Sequence, residues 1–209
     1  MTFEFSDVVT SEAKFREVIG NPSHRVLKKQ VAALDDLCRS FIAKSPFLLL
    51  SSCDRAGNMD ISPKGDPPGF VQVLDDHTLA IPDRLGNRRA DTLKNVLQNP
   101  HVGLLFLVPG KQETLRISGS AKFVRDEWVR APMGIAGKLP DHAIIVNVTE
   151  VFFHCAKCVI RSKLWDPNAW PALGGLPTLA QAMVAQGKLE ETQEEMQALI
   201  EKDATERLY

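Results

Sequence analysis

Two adjacent arginines, Arg88 and Arg89, stand in the segment Asp83-Arg84-Leu85-Gly86-Asn87-Arg88-Arg89-Ala90-Asp91-Thr92-Leu93-Lys94. The segment follows a strand pattern and opens a helical one whose apolar positions include Leu93, Val96 and Leu97. This spacing predicts both arginines in the first helical turn, where their charge opposes the helix macrodipole. A phosphate would relieve the conflict, because free N–H groups at a helix start and paired guanidinium forks both match its oxygens. Solvated arginines balanced by Asp83 and Asp91 are the competing reading.

Two further segments carry polar groups in unusual settings. In Asp60-Ile61-Ser62-Pro63-Lys64-Gly65-Asp66-Pro67-Pro68-Gly69, prolines and glycines shape a loop after a strand. Lys64 there would offset charge on a ring that becomes anionic on reduction, or else it is an exposed lysine on a plain turn. In Gln112-Glu113-Thr114-Leu115-Arg116-Ile117-Ser118-Gly119, alternation puts Thr114 and Arg116 on one strand face and Leu115 and Ile117 on the other. Further on, Arg161-Ser162-Lys163-Leu164-Trp165 offers an indole plate that either stacks on a flat heterocycle or packs in a core.

The cysteines give less. Cys155-Ala156-Lys157-Cys158 follows His154, but no second Cys/His pair at zinc spacing exists, so no metal site is expected. These thiols read as small, partly buried residues at a strand end. The chain has no window of 18 apolar residues and its N-terminus lacks the pattern of a secretory signal, which predicts a cytoplasmic protein with reduced cysteines and no membrane partner. Lys plus Arg number 25 and Asp plus Glu 26, so no field favours nucleic acid. The stretch 188–209 holds seven acids against three bases, which leaves residues 1–187 with a net charge of +3. That modest excess suits a single bound anion better than a polyanion.

The elements that must position these groups follow from periodicity. Leu27, Val31, Leu34, Leu37, Cys38 and Phe41 predict one helix capped by Ser23, after a shorter helix near 11–19. Pro46 ends the helical pattern. Three hairpins follow: 47–53 with 59–62, 70–74 with 78–82, and 101–108 with 113–124, before a last strand over 143–153. A helix near 176–183 and an acidic helix over 189–200 close the chain after the Gly174-Gly175 hinge. Short antiparallel strands of this density predict a mainly β (α+β) barrel or sandwich, with helices at both ends, and argue against a parallel Rossmann sheet.

The order SPKGDPPGF, a strand pair, IPDRLGNRRADTLKNVLQNPHVGLLFLVPG and then ETLRISG resembles the pyridoxamine 5'-phosphate oxidase-like flavoproteins over roughly residues 41–125. It is most similar to a bacterial branch with extra helices at both ends. The resemblance implies an antiparallel split β-barrel over 44–165, an N-terminal helical extension over 1–43 and a C-terminal helical tail over 166–209. It implies FMN as cofactor, with Asn87, Arg88 and Arg89 on the phosphate and Ser62, Pro63, Lys64 and Gly65 along the isoalloxazine edge. Thr114 falls where the oxidases proper carry a glutamine. Family members are homodimers with the flavin site at the subunit interface, which implies that Arg161, Lys163 or Trp165 acts across it.

The family's Arg-x-His substrate clamp is replaced by Arg161-Ser162-Lys163. The expectation is therefore an FMN-dependent oxidoreductase acting on a different small molecule, with Lys64 or Arg116 offsetting charge at the reduced ring. A noncatalytic flavin carrier or sensor whose acidic tail meets a partner protein, and the same barrel holding haem or a deazaflavin, are the alternatives. Residues 126–142, with Trp128 and Met133, are expected as a movable pocket rim.

Overall fold

The computed structural model describes residues 2–209. Helix α1 (Glu12–Ile19) starts where expected, with Ser11 accepting the Lys14 N–H at 3.2 Å. The single helix expected from Ser23 onward is instead two, α2 (His24–Lys28) and α3 (Asp36–Lys44). Two interactions break it. Val31 exchanges backbone hydrogen bonds of 3.0 and 2.8 Å with Val151, which requires extended chain. Asp35 caps α3 by accepting the Cys38 N–H at 2.8 Å, and an N-cap is itself non-helical, here φ −90° and ψ 179°. The apolar stripe survives in part, since Leu34, Cys38, Phe41 and Ile42 are buried while Leu27 and Leu37 are exposed.

The Asp35 cap gives a pH-dependent prediction. The Cys38 N–H first, and other hydrogen bonds after it, hold the Asp35 carboxyl below its ordinary value of 3.8. Its stabilisation is therefore complete above 3.8 and is lost as pH falls through the depressed native value. Asp35→Ala should cost about 1 kcal/mol in urea denaturation at pH 7. The same comparison should show the difference shrinking once the pH drops below 3.8.

The strands are β1 (Phe47–Cys53), β2 (Met59–Gly65), β3 (Gln72–Val73), β4 (Thr78–Asp83), β5 (His101–Leu107), β6 (Thr114–Val124) and β7 (His142–His154). They form one antiparallel sheet in the order β2-β1-β5-β6-β7-β4-β3. Helix α4 (Asp91–Gln98) lies between β4 and β5, α5 (Glu127–Arg130) between β6 and β7, and α6 (Lys157–Ser162) after β7. The mainly β (α+β) class and the three expected hairpins are observed. Two strands differ in extent: β3 keeps only two residues of the expected five, and β2 runs on through Pro63 and Lys64 to Gly65 where a loop was expected.

Among the described residues no backbone ladder joins the β2 edge to the opposite end of the sheet. Side chains do so. Lys64, near the end of β2, lies 3.6 Å from Asp83 at the end of β4. Just beyond both strands, Asp66 and Arg84 pair at 2.6 Å. The sheet is rolled on itself and left split. Pro63 sits on the edge strand β2. Pro82 sits on β4 beyond Ala80, the last residue paired with β3. Inside the roll Leu48, Leu50, Leu79, Phe106, Ile117 and Val146 are fully buried, each stabilising the fold by about 1.5–3 kcal/mol.

Two helices close the chain, α7 (Leu179–Gly187) and α8 (Gln193–Glu206), packed on each other around buried Ala180 and Met196. The acidic helix starts later than its expected 189–200. Thr192 and Glu195 form a reciprocal capping box that fixes the start at Gln193. Among the described residues no helix is long and apolar enough to cross a membrane.

Candidate functional site

Along β2, side chains alternate between exposed Met59, Ile61 and Pro63 and half-buried Asp60, Ser62 and Lys64. Ser62 and Lys64 pair with Leu50 and Leu48, whose side chains are fully buried, so this polar row faces into the roll. The row is tied down at both ends. Thr92 Oγ1 lies 3.3 Å from Asp60 Oδ2, and Lys64 Nζ lies 3.6 Å from Asp83. Asn95 of α4 donates to Ser52 Oγ at 3.0 Å, so α4 is held across β1 and β2 by polar contacts. At Gly65 a Cβ would stand 3.4 Å from both the Phe47 ring and the Pro46 carbonyl oxygen, a contact with little slack.

The loop 84–90 runs from Asp83, which Lys64 approaches, to α4, whose Thr92 meets Asp60 of this row. Arg88 and Arg89 do not lie in the first turn of the helix, which begins only at Asp91. The reason is backbone geometry. Arg88 (φ 61°) and Ala90 (φ 56°) are both left-handed, a conformation that costs a non-glycine residue of order 1 kcal/mol and interrupts any helix. Ala90 is the N-cap and has no polar side chain to cap with. The acidic Asp91, not a cation, occupies the first turn, as the macrodipole favours. Asn87 Oδ1 accepts the Arg89 N–H at 2.9 Å, which shapes the turn.

The two arginines differ. Arg89 Nε donates to Asp91 Oδ2 at 2.7 Å. Hydrogen bonding to Asp91 holds the guanidinium's pKa above its ordinary range, and the Arg89 hydrogen bond holds the Asp91 carboxyl below its own. Arg88 is exposed, and among the described residues it makes no ion pair or side-chain hydrogen bond. The loop thus presents one uncompensated guanidinium next to one balanced by a neighbour.

The remaining predicted residues lie elsewhere. Thr114 is buried at the start of β6, opposite His154. Arg116 is exposed with its guanidinium 5.4 Å from the centre of the Phe152 ring, which Lys29 also approaches at 5.4 Å. Thr114 and Arg116 point away from buried Leu115 and Ile117, onto the outer face of the sheet. Trp165 is half-buried and donates its indole N–H to the Lys111 carbonyl at 2.8 Å, beside the β5–β6 turn. Ser62 and Lys64 thus share one inward row of β2, and Asn87, Arg88 and Arg89 share the loop that runs from Asp83, the partner of Lys64, to α4. Thr114 and Arg116 stand on the opposite face of β6, which two strands separate from β2, and Trp165 joins neither set through a hydrogen bond.

Sequence reasoning missed Asp66 and Arg84. Their 2.6 Å pair is nearly sealed, with Asp66's side chain 2% and Arg84's 17% exposed, and Arg84 Nη2 also donates to the Met133 carbonyl at 2.8 Å. The usable signal was position: each is the first residue past a strand whose own last residues were singled out. Cys155 and Cys158 are exposed, not partly buried as expected, while Cys38 is buried and its thiol is pushed up to about 11 by that burial. No group of three or more His, Cys, Asp or Glu residues among those described is arranged to hold a metal.

The chain is a rolled, split antiparallel sheet with a helix between its fourth and fifth strands. A model of the pyridoxamine 5'-phosphate oxidase family matches residues 34–155, more than half of the chain, and the chain belongs to that family. No curated protein matches it. Among solved structures it is similar to HupZ of Group A Streptococcus, at 17% identity and a TM-score of 0.48 over 57% of this chain and 93% of that one. It is also similar to a pyridoxamine 5'-phosphate oxidase-type protein of Lactobacillus delbrueckii, at 17% identity and a TM-score of 0.45 over 58% and 99%. HutZ, the heme storage protein of Vibrio cholerae, follows at 19% identity and 0.41 over 57% and 93%. Family membership rests on the sequence match alone.

Proposed function

We propose that this chain binds FMN and acts as an FMN-dependent oxidoreductase on a small molecule other than pyridoxamine phosphate. The observation that carries the reading is Arg88, an exposed guanidinium without a counter-ion among the described residues, held in a left-handed turn beside Arg89 in the loop that leaves Asp83, the partner of Lys64. A phosphate at this loop would take charge-assisted bonds from both forks. When bound, FMN would supply the hydride chemistry. Lys64 would lie toward the ring edge and oppose negative charge developing there, with Asp83 moderating its field at 3.6 Å. Ser62 adds a hydroxyl to the same face.

A homodimer is part of this proposal. On the outer face of the sheet Thr114 is buried within the chain while Arg116 is exposed. On the same face of β2 and β1, Met59 (67% exposed), Ile61 (63%) and Phe47 (38%) form an apolar surface of the kind that a second subunit covers. Arg161 and Lys163 are exposed, with no histidine completing an oxidase-type clamp, so pyridoxamine phosphate is not proposed as substrate.

The test is the visible spectrum of the freshly purified protein, with mass analysis of whatever heat releases. A flavin double band and released FMN are expected, with bleaching by a reduced nicotinamide if the chain is an enzyme. Flavin that stays oxidised with every donor would move the chain to a carrier role. A colourless protein that takes up no added FMN would sink the cofactor assignment, and released haem or deazaflavin would replace it.

A further inference from the structure

Three distant segments converge on the Arg84 guanidinium. Asp66 pairs with it at 2.6 Å, the Met133 carbonyl accepts from it at 2.8 Å, and the Tyr209 ring lies over it at 5.5 Å from the ring centre. A fourth contact fixes the tyrosine itself, since Lys138 Nζ donates to the Tyr209 carbonyl oxygen at 2.7 Å. Tyr209 is half-buried, while Arg207 and Leu208 before it are exposed. Burial first, and the Asp66 carboxylate beside it, hold the phenol pKa above its ordinary 10. Among the described residues, the Lys138 bond is the one hydrogen bond that ties the segment 171–209 to the rest of the chain. Helices α7 and α8 pack chiefly on each other, so this corner is the tail's anchor.

Arg84 is also the first residue of the loop that carries Asn87, Arg88 and Arg89. We propose that Tyr209 is a latch, a positioning residue that fastens the helical tail to Arg84 and so holds the 84–90 loop in its ligand-ready shape. Its effect on cofactor rests on the FMN reading above; its effect on the loop does not. A flat ring over a shielded guanidinium is a favourable cation–π arrangement, and Asp66 keeps that guanidinium facing the ring.

The test is hydrogen exchange on the full-length chain without ligand, comparing wild type, Tyr209→Ala and Tyr209→Phe. Tyr209→Ala should speed exchange over residues 84–94 and over α7 and α8 by roughly fivefold, with β5 to β7 unchanged. Tyr209→Phe keeps the ring over Arg84 and should restore most of the protection. FMN titration of the alanine variant should show a Kd raised by about the same factor. Unchanged exchange over 84–94 in Tyr209→Ala, or a phenylalanine variant no better than alanine, overturns the latch. Should the wild type take up no FMN, the cofactor reading falls while the exchange comparison still decides this proposal.

Discussion

Replacing Arg88 and Arg89 together by alanine is expected to weaken FMN binding by more than about tenfold and to leave the melting curve in place. Both side chains are exposed and neither supports the core, so the loss falls on the ligand. The two arginines should not contribute equally. Arg89 already donates to Asp91 at 2.7 Å, and the Arg89 bond keeps that carboxylate ionised to below its usual pKa. An incoming phosphate must compete with Asp91 for Arg89, but meets no competitor at Arg88. Arg88→Ala should therefore account for the larger share of the double variant's loss. A fluorescence-quenching titration at fixed ionic strength reads it, and an unchanged Kd in the double variant would remove the phosphate role from this loop. High salt should erode the wild-type affinity and narrow the gap between the proteins.

The largest expected effect on stability comes from a single methyl group. Between Ser118 and Gly119 the β6–β7 register shifts, so that Ser118 faces Glu150 while Gly119 faces Val148 and Thr149 is the extra residue. A Cβ on Gly119 would stand 2.2 Å from the Asn147 carbonyl oxygen and 3.0 Å from its carbon. Those atoms are backbone in the longest ladder of the sheet and cannot step aside as a side-chain tip would. Gly119→Ala should cost about 2–4 kcal/mol, with Tm falling by roughly 10 °C in a chain of this size. The control is Gly86→Ala, where nothing lies within 4 Å of the new Cβ. That change should stay within about 0.5 kcal/mol. Equal melting curves for the two variants would show that the bulge relaxes around the methyl.

Interactions local in sequence were legible; those that depend on distant chain were not. The run Phe47 to Cys53, the Asp54 to Asn58 turn and the alternation from Thr114 to Ser118 each specify their strand or hairpin through period and turn chemistry. Ser11 marked the start of α1 for the same reason. The helix expected from Ser23 failed because Val31 is claimed by Val151, 120 positions away, and periodicity cannot register that competitor. The acidic helix was misplaced for a different reason, since Thr192 and Glu195 do carry a readable capping box.

The candidate site divides along the same line. Residue type and spacing singled out Arg88, Arg89 and Lys64, and the family resemblance added Asn87 and Ser62, but neither registered the left-handed Arg88 and Ala90 that hold the arginines ahead of the helix. Strand alternation placed Thr114 and Arg116 on one face, yet that this face is the outer one depends on how the whole sheet rolls. Asp66, Arg84 and Tyr209 come together only in three dimensions.

Pro63 and Pro82 stand on the two lips of the split, one on β2 and the other on β4 past the end of β3. A proline has no N–H, so each lip lacks a donor just where a seam of backbone hydrogen bonds would have to run. The roll cannot zip itself shut there. What results is a permanent slot with Lys64 and Asp83 at its rim, and the same missing donors deny a stray strand from another molecule a template on which to grow.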